Sequence, residues 1–202
     1  MTDLVAPVAP APAPRAFKLT KLSDVQARPI KWLLPGRIPY GSVTILAGRP
    51  GEGKSQLTIT LASSLSQQGV GTLIVGAEDG LADMVKPRAI AADADLDLIH
   101  AVSVTDMGMD QEIGFPGDVP LLERAVKETG AALVVVDPVM GHIDGEVNTH
   151  SDQSLRGALS PLARMARSTG AAVVFVAHLN KGGEGTALNR VGGGIAMGGV
   201  AR

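Results

Sequence analysis

A mostly parallel β-sheet covered by helices is the α/β fold this sequence predicts, and three observations predict it. Aliphatic runs alternate with amphipathic stretches from Ser42 to Ala177. Hydrophobic residues make up 45% of the 202 positions but aromatic residues only 2%, so the core must be built from Ala, Val, Leu and Ile. Buried parallel strands read as continuous aliphatic runs of that kind. Lastly, a glycine-rich loop joins the first aliphatic run to the first helical pattern. Strands alternating with helices call for parallel pairing through right-handed crossovers.

The elements follow in order. Residues 1–16 contain APVAPAPAP and are expected to be a disordered Pro/Ala-rich tail, because proline cannot donate to a ladder or a helix. Residues 17–202 are expected to form one domain. Trp32 to Gly41 is a turn-rich lead into the first strand, Ser42 to Ala47. Gln56 to Gln68 reads as a helix with Leu57, Leu61, Ala62 and Leu65 as its apolar positions. Gly71 to Ala77 is a strand ending at Glu78-Asp79-Gly80, and Leu81 to Ala92 a helix that Pro87 is placed to interrupt. Leu98 to Val102 is a short strand, Pro120 to Thr129 an amphipathic helix, and Ala132 to Asp137 a strand closing on a carboxylate. Ser151 caps a long helix to Thr169, and Ala171 to Ala177 is the last buried strand. Beyond His178 the chain is glycine-rich and holds no convincing strand.

The loop Gly48-Arg49-Pro50-Gly51-Glu52-Gly53-Lys54-Ser55, continued by Gln56, matches G-x-x-x-x-G-K-[ST] in full. A strand before it and a helix behind it make the pattern a phosphate site. Its glycines let successive N–H groups point inward around a polyphosphate, and the helix N-terminus adds positive potential. Lys54 is expected on the β- and γ-phosphates and the Ser55 hydroxyl on Mg²⁺. The chain is therefore read as binding a nucleoside triphosphate.

Hydrolysis needs further groups: a carboxylate for the metal, a residue that positions water, and positive charge at the transition state. Asp137, at the end of an aliphatic strand, is the candidate second metal ligand. Glu78 is the candidate general base, because ligands bind at the C-terminal edge of open parallel sheets. The competing reading has Glu78 and Asp79 merely opening the next helix, where acidic residues favour the dipole. His178 ends a strand on the same edge and is placed to sense the γ-phosphate. Lys181, Arg190 and Arg202 are each either a finger on a neighbouring subunit's nucleotide or a solvated charge. The four histidines form no metal-ligand spacing.

Net charge is −2, so the overall balance announces no nucleic-acid or membrane partner. Without cysteine there are no disulfides, in keeping with a cytoplasmic setting. No apolar run approaches the roughly 20 residues that span a bilayer.

Together these motifs resemble the RecA-like P-loop ATPases of the RepA hexameric replicative helicase type. The matching segments are WLLPGRIPYGSVTILAGRPGEGKS, the AEDG turn with Arg88 downstream, VVVDPVMGHIDGEVNTHSDQSLR, AAVVFVAHLNK and the closing RVGGGIAMGGVAR. The resemblance covers roughly residues 30–202. It implies a three-layer RecA-like P-loop NTPase core that uses ATP and Mg²⁺, as a homo-oligomer, a hexameric ring with nucleotides between subunits. By position it assigns Glu78 as base, Asp137 as the second acidic motif, His178 as γ-phosphate sensor and Arg202 as arginine finger. It also turns the loops 141–152 and 181–194 toward single-stranded DNA, although they carry few basic residues and no aromatic. Such cores continue with further strands where this chain stops at Arg202, so the expectation is a C-terminally truncated fragment or an unusually small sheet. The resulting expectation of function is a DNA helicase or DNA-associated motor in replication or recombination. The alternative is an ATP-dependent switch or assembly module without DNA activity.

Overall fold

The structure, a computed structural model, describes residues 17–76, 79–179, 191–192 and 194–201. A hairpin of β1 (Trp32–Leu34) and β2 (Ile38–Pro39) leads into β3 (Val43–Gly48). The P-loop pattern then opens α1 (Lys54–Ser66), followed by β4 (Thr72–Gly76), α2 (Lys86–Ala91) and β5 (Ile99–Ala101). A second hairpin, β6 (Val104–Asp106) and β7 (Met109–Gln111), precedes α3 (Val119–Thr129). The chain continues through β8 (Leu133–Asp137), α4 (Asp152–Thr169), β9 (Ala172–His178) and α5 (Gly194–Val200).

The central sheet has the order β3-β9-β8-β4-β5, and every neighbouring pair in it is parallel. Alternation along β8 explains the layers. Val134 and Val136 pack with Leu122, Leu155, Leu159 and Met197, on the face covered by α3, α4 and α5. Leu133 and Val135 pack with Leu65 and Leu61 of α1 and with Leu33 and Ile38 of the first hairpin. Both faces are covered, which is why these strands carry no polar alternation. Each fully buried Val or Leu contributes roughly 1.5–3 kcal/mol, so the aliphatic composition is enough to close a three-layer RecA-like core without aromatics.

Several elements depart from the sequence reading. Helix α1 turns Leu61, Ala62 and Leu65 inward as expected, but its buried face shifts to take in Thr58 and Ile59 and leaves Leu57 56% exposed. Its inner face is partly hydroxyl because Ser63 and Ser66 donate to the Ile59 and Ser63 carbonyls, at 2.8 Å each. That back-bonding satisfies a buried hydroxyl within its own helix. The stretch expected as one helix over 81–92 begins instead as a π-helical turn, Leu81–Val85, with Met84 and Val85 both donating to Gly80. Pro87 then sits in the first turn of α2, where its missing N–H costs nothing. Ser151 does cap α4, accepting from the Ser154 N–H at 3.3 Å.

Helix α5 lies in the glycine-rich stretch read as holding no strand, and the β6–β7 hairpin in a stretch to which the sequence assigned no element. The glycine-rich sequence of α5 has poor intrinsic helix propensity, but buried Gly194, Ala196 and Met197 dock it on α4. Among the described residues no helix is long and apolar enough to cross a membrane.

Candidate active site

The phosphate-binding pattern lies at the C-terminal end of β3, beside the ends of β9, β8 and β4. Register places these ends together: Gly48 pairs with His178, and Gly76 with Asp137. The Leu179 N–H donates to the Gly48 carbonyl at 3.1 Å, which ties the base of the loop to the end of β9.

Within the loop, Gly51 and Gly53 have φ of 80° and 77°, a left-handed conformation that glycine adopts without strain. Gly53 is the N-cap of α1 and supplies no side-chain acceptor, so the first N–H groups of the helix are left for another anion. The Arg49 carbonyl accepts from the Lys54 ammonium at 2.9 Å, and the Arg49 N–H donates to the Glu52 carboxylate at 2.7 Å. Lys54 is only 8% exposed, so its charge is held inside the loop. A Cβ at Gly48 would stand 2.7 Å from the Glu52 carboxylate and 3.3 Å from Cδ of Lys54, so any side chain there would displace both.

Ser55, Gly76, Asp79 and Asp137 line one small cavity of about 30 Å³ between α1 and the strand ends. That is room on the scale of one water or one ion. A hydroxyl and a carboxylate are the hard oxygen donors that Mg²⁺ takes, so Ser55 and Asp137 suit the expected metal. Asp79 also forms an ion pair with Arg88 of α2, and both side chains are about 30% exposed. The structure thus gives Asp79 a place at the rim and brings in Arg88, which sequence reading had noted only as lying downstream. Glu78, Arg202, Lys181 and Arg190 lie outside the described residues.

The segment 141–152 is held down at its start. His142 is buried with Nδ1 2.9 Å from the Ile113 carbonyl, and the Phe115 N–H donates to the His142 carbonyl at 2.7 Å. The Asp144 N–H donates back to Phe115 at 2.9 Å, and the Asp144 carboxylate accepts from Gly117 at 3.2 Å. Its charged groups are the carboxylates Asp144, Glu146 and Asp152, and it has no Lys or Arg. Of the second expected DNA loop, 181–194, only 191, 192 and 194 are described.

Comparison with known proteins fits this geometry. The family model described as "AAA domain" matches residues 10–184, most of the chain. The chain belongs to that family. As an AAA domain it is a P-loop ATPase with a RecA-like core. It is also similar to curated proteins named DNA repair protein RadA. Identity is 28% over 186 residues to that of Mycobacterium tuberculosis (strain CDC 1551 / Oshkosh), covering 86% of this chain and 36% of the relative. It is 28% over 179 residues to that of Escherichia coli (strain K12), covering 83% and 36%. For that of Bacillus subtilis (strain 168) it is 25% over 154 residues, covering 75% and 31%. The chain spans about a third of the length of these relatives.

Proposed function

We propose that this AAA domain hydrolyses ATP with Mg²⁺ and couples turnover to DNA, as part of a ring-forming motor of the RecA/RepA-like type. The observation that carries the reading is the convergence of the P-loop, buried Lys54 and the Ser55–Asp137 cavity on one edge of the sheet. The relatives' name, DNA repair protein RadA, supports the DNA association, and repair is the process it points to.

The chemistry assigns roles as follows. The N–H groups of the loop and of the α1 N-terminus hold the β- and γ-phosphates, and Lys54 exchanges the Arg49 carbonyl for a phosphate oxygen. Mg²⁺, when bound through Ser55 and Asp137, neutralises charge on the phosphates. Glu78 orients a water and takes its proton as the water oxygen bonds to the γ-phosphorus and the bond to ADP breaks. His178, in register with Gly48, senses the γ-phosphate, and an arginine from a neighbouring subunit, Arg202 by position, completes the site.

Unwinding of DNA, as a replicative helicase performs it, is the finer form of this reading. Of the loops 141–152 and 181–194, only the second carries Lys or Arg, at Lys181 and Arg190. The acidic character of 141–152 favours, as a second reading, an ATP-dependent switch that signals to a protein without DNA.

Steady-state ATP hydrolysis with and without single-stranded DNA, using Lys54→Ala as the blank, tests the proposal. Turnover that rises with DNA supports the motor. DNA-independent turnover supports the switch, and turnover equal to the Lys54→Ala blank rejects the ATPase reading for this chain.

A further inference from the structure

We propose that the cleft between the β1–β2 hairpin and the C-terminus of α4 binds single-stranded nucleic acid. This cleft, about 930 Å³ in volume, is lined by Arg28, Lys31, Trp32, Arg37, Tyr40 and Arg167 among others. It lies at the opposite end of the sheet from the P-loop. Ser42, which leads into β3, borders the cleft, whereas Gly48 at the far end of β3 begins the loop. Six residue steps of about 3.3 Å each separate them, or roughly 20 Å.

Three features point to a strand. The chain has one tryptophan and one tyrosine, and both line this cleft with 40% and 36% of their surface exposed. The core does not use them: along β1, Leu33 packs inward with Leu65 and Val135 while Trp32 faces solvent. Exposed rings beside cations are the platform on which successive unpaired bases stack, whatever their sequence.

Charge is the second feature. Among the described residues four cations line the cleft, and neither aspartate nor glutamate does, in a chain whose net charge is −2. Among the described residues none of the four makes an ion pair. A local excess of positive charge without internal counter-ions suits a phosphate backbone.

The third is that the wall is built. The Tyr40 N–H donates to the Lys31 carbonyl at 3.0 Å, and Trp32 stands opposite Pro39 in the hairpin. The Gly41 N–H donates to the Gly170 carbonyl, also at 3.0 Å, which fastens the hairpin to the end of α4 that carries Arg167. The backbone segments that carry the rings and cations are therefore held in fixed relation. A duplex keeps its bases stacked on each other and offers the rings nothing, so the occupant is single-stranded.

The proposal deepens the DNA-associated reading by giving the strand a place to bind, and its test is independent of hydrolysis. Trp32, the sole tryptophan, reports directly on the cleft. The full chain is titrated with an oligothymidylate of about 20 nucleotides, longer than one such site requires. Saturable quenching of Trp32 emission is expected. Four phosphate contacts predict that log K falls with log salt at a slope near −3. Arg37→Glu combined with Arg167→Glu should weaken binding at least about tenfold and roughly halve that slope. With a labelled strand read by anisotropy, Trp32→Phe should retain affinity and Trp32→Ala should lose at least about fivefold. Retained ATP binding verifies that each variant is folded.

Unchanged Trp32 emission while the labelled strand binds would place the strand elsewhere and overturn the proposal. So would full affinity in the double charge variant, or quenching by inorganic triphosphate as strong as that by the strand. If no strand binds at all while ATP is still hydrolysed, this inference fails and the ATPase reading survives. If hydrolysis is absent but Trp32 is quenched, the reverse holds.

Discussion

The two ends of the sheet use similar residues in opposite ways. At the C-terminal end, one cation, Lys54, is buried and bonded to the Arg49 carbonyl inside a loop bent by glycines. At the N-terminal end, Arg28, Lys31, Arg37 and Arg167 line a wide open cleft beside two rings. A buried, pre-aimed cation gives a small ligand one geometry. Spread, solvated cations give a long polyanion many, and their strength is sensitive to salt. The contrast teaches that positive charge alone does not mark a site's ligand; the desolvation and fixity of that charge do.

The largest expected effect breaks the two ends apart. Lys54→Ala should abolish tight ATP binding, measured by nucleotide titration, while leaving strand binding at the hairpin cleft intact. Loss of both together would mean that the ends are one site or that the variant is unfolded, which circular dichroism distinguishes.

Glu78→Gln comes next. It should keep ATP binding and lose hydrolysis by roughly 10²–10⁴-fold, the usual contribution of a positioned base. Normal turnover in this variant would return Glu78 to the role of an acidic helix opener.

A smaller change sharpens the geometric side. Gly48→Ala puts a methyl where the Glu52 carboxylate lies 2.7 Å away and the Lys54 stem 3.3 Å away. Nucleotide affinity should fall about tenfold, the consequence of roughly 1.4 kcal/mol, because Lys54 is displaced from its aim. The hairpin cleft should again be indifferent, and equal losses at both ends would show that β3 transmits the distortion.

The smallest effect lies between the ends, on the α3–α4 face. Glu123 accepts from Lys127 at 2.8 Å and from Ser168 of α4 at 3.0 Å, and these bonds hold its carboxyl below the ordinary range. A lowered folded pKa means that its contribution to stability is present above the unfolded value and fades as pH falls through the folded one. Carboxyl NMR titration should show the lowered midpoint, and Ser168→Ala should move it back upward without affecting either end of the sheet.

Legibility followed the range of the interactions. The P-loop, the aliphatic strands and the Ser151 cap were readable because each is set by residues a few positions apart. The hydroxyl part of the inward face of α1 was not, since Ser63 and Ser66 satisfy their hydroxyls within the helix and so become admissible to the interior. Nor was α5, which its glycine-rich sequence disfavours and which packing of Ala196 and Met197 stabilises. At the site, Lys54 and Ser55 were plain from the motif, whereas the ion pair of Asp79 with Arg88 is formed across the π-helical turn, which the sequence did not announce.

By itself, the sequence determined the α/β class, the phosphate loop and the carboxylate at the end of β8, because backbone conformation and hydrophobic pattern are local properties of the chain. Only the tertiary structure decided that Ser55, Asp79 and Asp137 share one small cavity. It alone, too, brought Trp32, Arg37 and Arg167 to one cleft across more than a hundred residues of chain. Those neighbourhoods follow from strand order and register, which parallel crossovers set over long sequence separations that no short pattern encodes.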